Sequence, residues 1–119
     1  MDELRAEFDQ AVRDLYATWV ADVGQFSGFQ QAVRDNDGDH AATAIALVRR
    51  SDATYGFGRL VDPEVNRPEL TLEQLVQEDR WTLVVGRDVQ VIARQRLREN
   101  VPGWTKSGGT AARRPPRAA

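Results

Sequence analysis

The chain has 119 residues, 41% of them apolar, with no cysteine, one histidine and a formal net charge of −2. These figures fit a single domain and exclude disulfides, thiolate nucleophiles and Cys-ligated zinc; any Ser-His-Asp arrangement depends on His40 as its base. No apolar run approaches the roughly 18 residues of a membrane span, and the acidic, amphipathic opening MDELRAEFDQ is unlike a secretory signal, so the expected location is cytoplasmic with no membrane partner.

Residues Asp2 to Val23 place Leu4, Phe8, Val12, Leu15, Trp19 and Val23 at helical steps of three and four, which predicts a long helix with Trp19 inward and Gly24 as its stop. Arg5/Asp9 and Asp9/Arg13 are spaced to pair on its outer side. Phe26, Phe29 and Val33 predict a second helix over about Gln25 to Arg34. The polar cluster Asp35-Asn36-Asp37-Gly38-Asp39 follows, and Asp39 is placed to cap a third helix, His40 to Arg50. The small residues Ala41, Ala42, Ala44 and Ala46 of that helix allow close approach, with Ile45, Leu47 and Val48 supplying core, so it is expected at the centre of a bundle.

Periodicity fails from Ser51 to Leu70, where Gly56, Gly58, Pro63 and Pro68 interrupt the apolar residues Tyr55, Phe57, Leu60 and Val61. Long irregular stretches in small domains often carry function, so Tyr55, Phe57 and Leu60 are the candidate partner-binding residues; the bland alternative is a short helix or a self-packed loop. Thr71 followed by Gln74 has capping-box spacing and predicts a helix from Thr71 to about Asp79. Trp81 to Val85 reads equally as a helical end, a 3₁₀ turn or a brief strand. Asp88 is then expected to cap a last helix ending before Pro102, with Val89, Ile92, Ala93 and Leu97 inward. Residues 102–119, rich in Gly, Pro, Ala and Arg, read as a flexible basic tail that includes Trp104.

The net charge conceals an asymmetry: Met1 to Arg80 sums to −8 and Trp81 to Ala119 to +6. Gln90, Arg94 and Arg98 recur at helical spacing, with Arg87 ahead of them. Together with Arg113, Arg114 and Arg117 in the tail, these arginines form a candidate phosphate-tracking surface. The carboxylates Asp35, Asp37 and Asp39 fail as a calcium loop, because His40 stands where glycine is needed and Ala46 where the bidentate glutamate belongs, so no metal is expected. Gly56-Phe57-Gly58 lacks the third glycine of a dinucleotide fingerprint, and Lys106-Ser107-Gly108-Gly109 lacks the order of a phosphate loop, so no cofactor is expected. The wording of Leu70 to Val76, Trp81 and Ile92 to Leu97 resembles that of many short bacterial and phage proteins and implies no residue-level role.

The expected architecture is all-α: a compact bundle of four to six helices over residues 1–101, with a flexible basic tail over 102–119. The expected function is a non-catalytic protein–protein interaction module, such as an adaptor, inhibitor or accessory subunit. Its alternative is a nucleic-acid-binding accessory protein using the basic last helix and tail. An acid/base enzyme built on His40 with Asp37 or Asp39 ranks third, and the reading leaves a homo-oligomer open.

Overall fold

The apolar stripe of the first segment forms the longest helix, α1 (Asp2–Asp22), in the computed structural model, which describes residues 2–50 and 55–105. Phe8, Val12 and Trp19 are buried along it, and the Trp19 indole N–H donates to the Leu70 carbonyl at 2.6 Å, tying α1 to a segment 51 residues away. Gly24 ends this stretch with φ 144°, a conformation closed to most side chains. It also has Arg59 pressed against it: a Cβ there would lie 2.7 Å from Arg59 Nη2.

Helix α2 (Ser27–Asp35) buries Phe29, whose ring stacks on Tyr16 at 5.1 Å and meets Trp19 edge-on at 5.2 Å. Helix α3 (His40–Arg49) starts where the Asp39 side chain accepts from the Ala42 amide, as its spacing predicts. A second carboxylate, Asp9 of α1, accepts from Ala41 N at 2.9 Å, so two of the amides left open at this helix start are satisfied by side chains. Ala41, Ala44 and Val48 are buried, and their small size lets α3 pack against α1 while it also touches later helices.

The stretch from Tyr55 does hold a helix, α4 (Tyr55–Val61), followed by a 3₁₀ turn at Pro68–Leu70. Thr71 then caps α5 (Leu72–Val76) by accepting from Gln74 N at 3.0 Å. The other half of the expected capping box is absent, because the Gln74 side-chain oxygen accepts instead from the Trp104 indole N–H at 2.8 Å. Gln77 ends α5, short of the expected Asp79.

Residues Asp79–Trp81 form a second 3₁₀ turn and run into α6 (Thr82–Val85), so the ambiguous apolar run is helical. Gly86, at φ 89°, separates α6 from α7 (Arg87–Asn100) and stands at the N-cap position. Asp88 is therefore not the cap. It lies in the first turn of α7, 3.4 Å from Arg49.

Among the described residues the fold is all-α, with seven α-helices where four to six were expected, the surplus coming from the short α4 and α6, whose segments the sequence leaves open between helix and other forms. Helices α1, α3, α5 and α7 enclose the main core with Phe26, Leu60, Trp81 and Val85. A second, smaller cluster joins Phe57 to Leu97, Val101 and Trp104. Trp104 thus departs from its expected place in the tail, since its ring is buried and its N–H bonded. No helix among the described residues is long and apolar enough to cross a membrane.

Candidate functional site

The residues singled out in the irregular stretch fall on α4, and two of them point inward. Phe57 is 2% exposed within the second cluster, and Leu60 is buried in the main core. This runs against the expectation that they bind a partner: once the segment coils, Phe57 and Leu60, three apart, share an inward face that meets the end of α7 and the Pro68–Leu70 turn. The Tyr55 side chain lies outside the described residues. Arg59 fastens the opposite side of α4, donating to the carbonyls of Gln25 (2.9 Å) and Val23 (3.3 Å) with its guanidinium 4.8 Å from the Phe26 ring centre.

The proposed basic face of α7 divides. Gln90 is buried, its amide donating to the carbonyls of Val76 (3.1 Å) and Glu78 (2.8 Å) while its oxygen lies 3.0 Å from the Thr82 hydroxyl. Arg94 follows it inward, with its side chain 17% exposed, and donates to the Gln77 carbonyl at 2.7 Å and to Asp79 at 3.1 Å. Both were expected to face solvent. They satisfy the carbonyls freed where α5 stops, an instance of the demand that buried backbone groups find partners. Arg87 and Arg98 are exposed, the latter 5.9 Å from the Trp104 ring centre. Arg113, Arg114 and Arg117 lie outside the described residues.

What remains outward on this side is mixed. On α7, Arg87, Asp88, Val91, Gln95, Arg98 and Glu99 are exposed, and Gln95 donates to Glu99 at 3.2 Å. Val91 is 57% exposed, and Leu83, on the adjoining α6, is 73% exposed. Both are aliphatic side chains that the sequence left unassigned. For Val91 the signal was available: it sits opposite Val89 and Ala93 on the helical wheel.

The acidic turn before α3 is structural in its bonding. Asp35 accepts from Gln31, Asp39 caps α3 and pairs with Arg5 at 2.7 Å, and Asp9 pairs with Arg13 at 2.7 Å. Arg5 thus chooses Asp39 over Asp9, its expected partner. Backbone amides and arginines hold both Asp9 and Asp39 below the ordinary carboxylate range, although burial opposes this for each. A shallow groove runs here between α1 and the α2–α3 turn, lined by Arg5, Asp9, Gln10, Arg13, Asp37 and Asp39. Its arginines are committed to its own carboxylates. His40 Nδ1 lies 3.1 Å from the Gly38 carbonyl, and no three potential metal ligands converge among the described residues.

The buried ionic pair, Glu73 with Arg96, is not among the sequence expectations: the Arg96 guanidinium donates to the Glu73 carboxylate at 2.6 Å. Its signal was faint: Glu73 is three residues before the buried Val76, and Arg96 three after the buried Ala93, so each lies near an apolar stripe.

No protein-family model, curated protein or solved structure matches this chain.

Proposed function

We propose that the chain is a non-catalytic protein–protein interaction module, an adaptor, inhibitor or accessory subunit, acting through the outward surface of α6 and α7. The observation that carries this reading is the exposure of Leu83 and Val91 on two helices joined by a single residue, Gly86. Isolated exposed aliphatics are ordinary on a protein surface; here they accompany the exposed arginines Arg87 and Arg98. Arginine beside apolar side chains suits a desolvated protein interface. The same face carries Asp88 and Glu99, carboxylates that would repel a phosphate backbone. The proposal includes a cytoplasmic setting and admits a second copy of the chain as the partner.

Co-purification from the native host tests it. Full-length protein should retain a partner that Leu83→Asp with Val91→Asp releases, while both forms keep the same thermal midpoint. Retention of the partner by the double variant would remove this surface from consideration.

The charge asymmetry favours a second reading, nucleic-acid binding through Arg87, Arg98 and the tail residues Arg113, Arg114 and Arg117. Phosphate contacts release counterions, so affinity should fall about tenfold or more between low and physiological salt. Absence of binding to duplex and single strands at low salt would exclude it.

A further inference from the structure

We propose that α4 is a strap that opens as a unit ahead of the rest of the fold, uncovering Phe57 and the cluster of Leu97, Val101 and Trp104 beneath it. This is a conformational device distinct from the α6–α7 surface, and it does not rest on that reading.

The helix is weak by construction. It spans seven residues, far below the length at which a helix is stable alone, and two of them are Gly56 and Gly58. Glycine is the least favourable residue of a helix interior apart from proline, because it gives up the most backbone freedom. Gly58 has no steric reason to be glycine: it is exposed, its φ is not positive, and a Cβ built there meets nothing within 4 Å. A stronger helix former fits the space and is not used.

Opposing this weakness are attachments on both flanks. Arg59 reaches the carbonyls of Val23 and Gln25, and the Leu60 carbonyl accepts from the Arg67 amide at 2.8 Å. Phe57 lies with Leu97, Val101 and Trp104, and the Arg96 guanidinium stands 6.0 Å from its ring centre. The cluster under Phe57 is separate from the main core, so lifting α4 removes one side of a small apolar group and, among the described side chains, withdraws only Leu60 from the large one. Local openings are drawn from such segments, with few core contacts and low intrinsic propensity. While α4 is closed, Phe57 and Leu60 are unavailable to any partner; once it opens they are presented together with the patch they covered.

The test exploits the absence of cysteine from the chain. A thiol placed under the strap by Val101→Cys is challenged with a thiol reagent under native conditions, and compared with Val12→Cys in the main core. The strap predicts faster labelling at position 101, with a shallower urea dependence than at position 12. Adding Gly58→Ala should slow labelling at 101 about fivefold, the ratio expected for this exchange in an exposed helix interior, and Arg59→Gln should speed it. Equal rates and urea dependence at the two positions would overturn the proposal. So would a rate at 101 indifferent to Gly58→Ala, which would mean that the thiol is reached through the chain end after Trp104.

Discussion

The Arg96 guanidinium donates to the Glu73 carboxylate at 2.6 Å, with the two side chains 10% and 2% exposed. The same guanidinium donates to the Arg50 carbonyl at 2.6 Å, so one side chain of α7 joins α5 to the end of α3. Two charges taken out of water gain from each other only what desolvation has cost them, which makes the pair a weak source of net stability. Its geometry is nonetheless demanding, because neither charge has solvent to fall back on.

Removing one partner should therefore be severe. Arg96→Met leaves a buried carboxylate without its cation, and should cost about 3 to 5 kcal/mol. The double variant Glu73→Met with Arg96→Met should recover most of that loss, as a packed apolar pair. Urea unfolding of the two variants and the parent checks both statements. A double variant as unstable as Arg96→Met would mean that the Arg50 carbonyl, and not Glu73, is the critical partner.

The same pair sets one side of the pH profile. Burial pushes the Glu73 carboxyl above its ordinary value of 4.5, and the bond from Arg96 only partly opposes this. Between 4.5 and the raised folded value the folded state holds a proton that the unfolded chain has released, so the contribution of Glu73 is greatest below about 4.5 and declines as pH rises through the folded value. Asp9 and Asp39 act in the opposite sense. Their values lie below the ordinary 3.8, so their stabilisation is complete above that pH and is lost as pH falls through the folded values. Unfolding midpoints measured from acid to neutral pH should fall less with rising pH in Glu73→Gln than in the parent. On the acid side, Asp9→Asn and Asp39→Asn should flatten the loss below 3.8.

Trp19 offers a sharper separation of packing from hydrogen bonding. Trp19→Ala should cost about 3 to 5 kcal/mol, since it empties a core position. Trp19→Phe retains much of the ring packing against Phe26 and Phe29 but leaves the Leu70 carbonyl without its donor, adding about 1 to 3 kcal/mol for an unsatisfied buried group. Thermal or urea unfolding that found Trp19→Phe indistinguishable from the parent would mean that water replaces the indole N–H at Leu70.

How far the fold was legible in the chain follows from which forces act locally. The α1 stripe, the Asp39 cap and the Thr71 cap depend on residues within one or two turns, and each is where its spacing puts it. Position along the chain misled where a distant group competed. Gln74 meets Trp104 instead of its own cap amide, Arg5 meets Asp39 instead of Asp9, and Gln90 turns inward to the carbonyls that end α5. Phe57 looked like a loop anchor because two glycines broke the helical pattern around it; burial against α7 overrides that weak propensity. Of the candidate surfaces, Arg87 and Arg98 are exposed as read, whereas the aliphatic exposure at Leu83 and Val91 depends on which faces of α6 and α7 the core leaves outside.

The arginines of α7 give the last prediction, because the same residue type at helical spacing is put to two uses. Arg94 is held by the Gln77 carbonyl, the Gln77 side chain and Asp79, and its removal frees a carbonyl at the end of α5 that the helix itself cannot satisfy. Arg94→Ala should therefore destabilise the fold by about 1 to 3 kcal/mol. Arg87→Ala and Arg98→Ala remove exposed side chains and should stay within about 0.5 kcal/mol of the parent. The ordering matters for interpreting any binding assay: a loss of affinity in Arg94→Ala reports on the α5–α7 junction, while one in Arg87→Ala or Arg98→Ala at unchanged stability reports on a contact. Urea unfolding of the three variants decides it. Equal, negligible effects at all three positions would return Arg94 to the set of arginines free to meet a ligand.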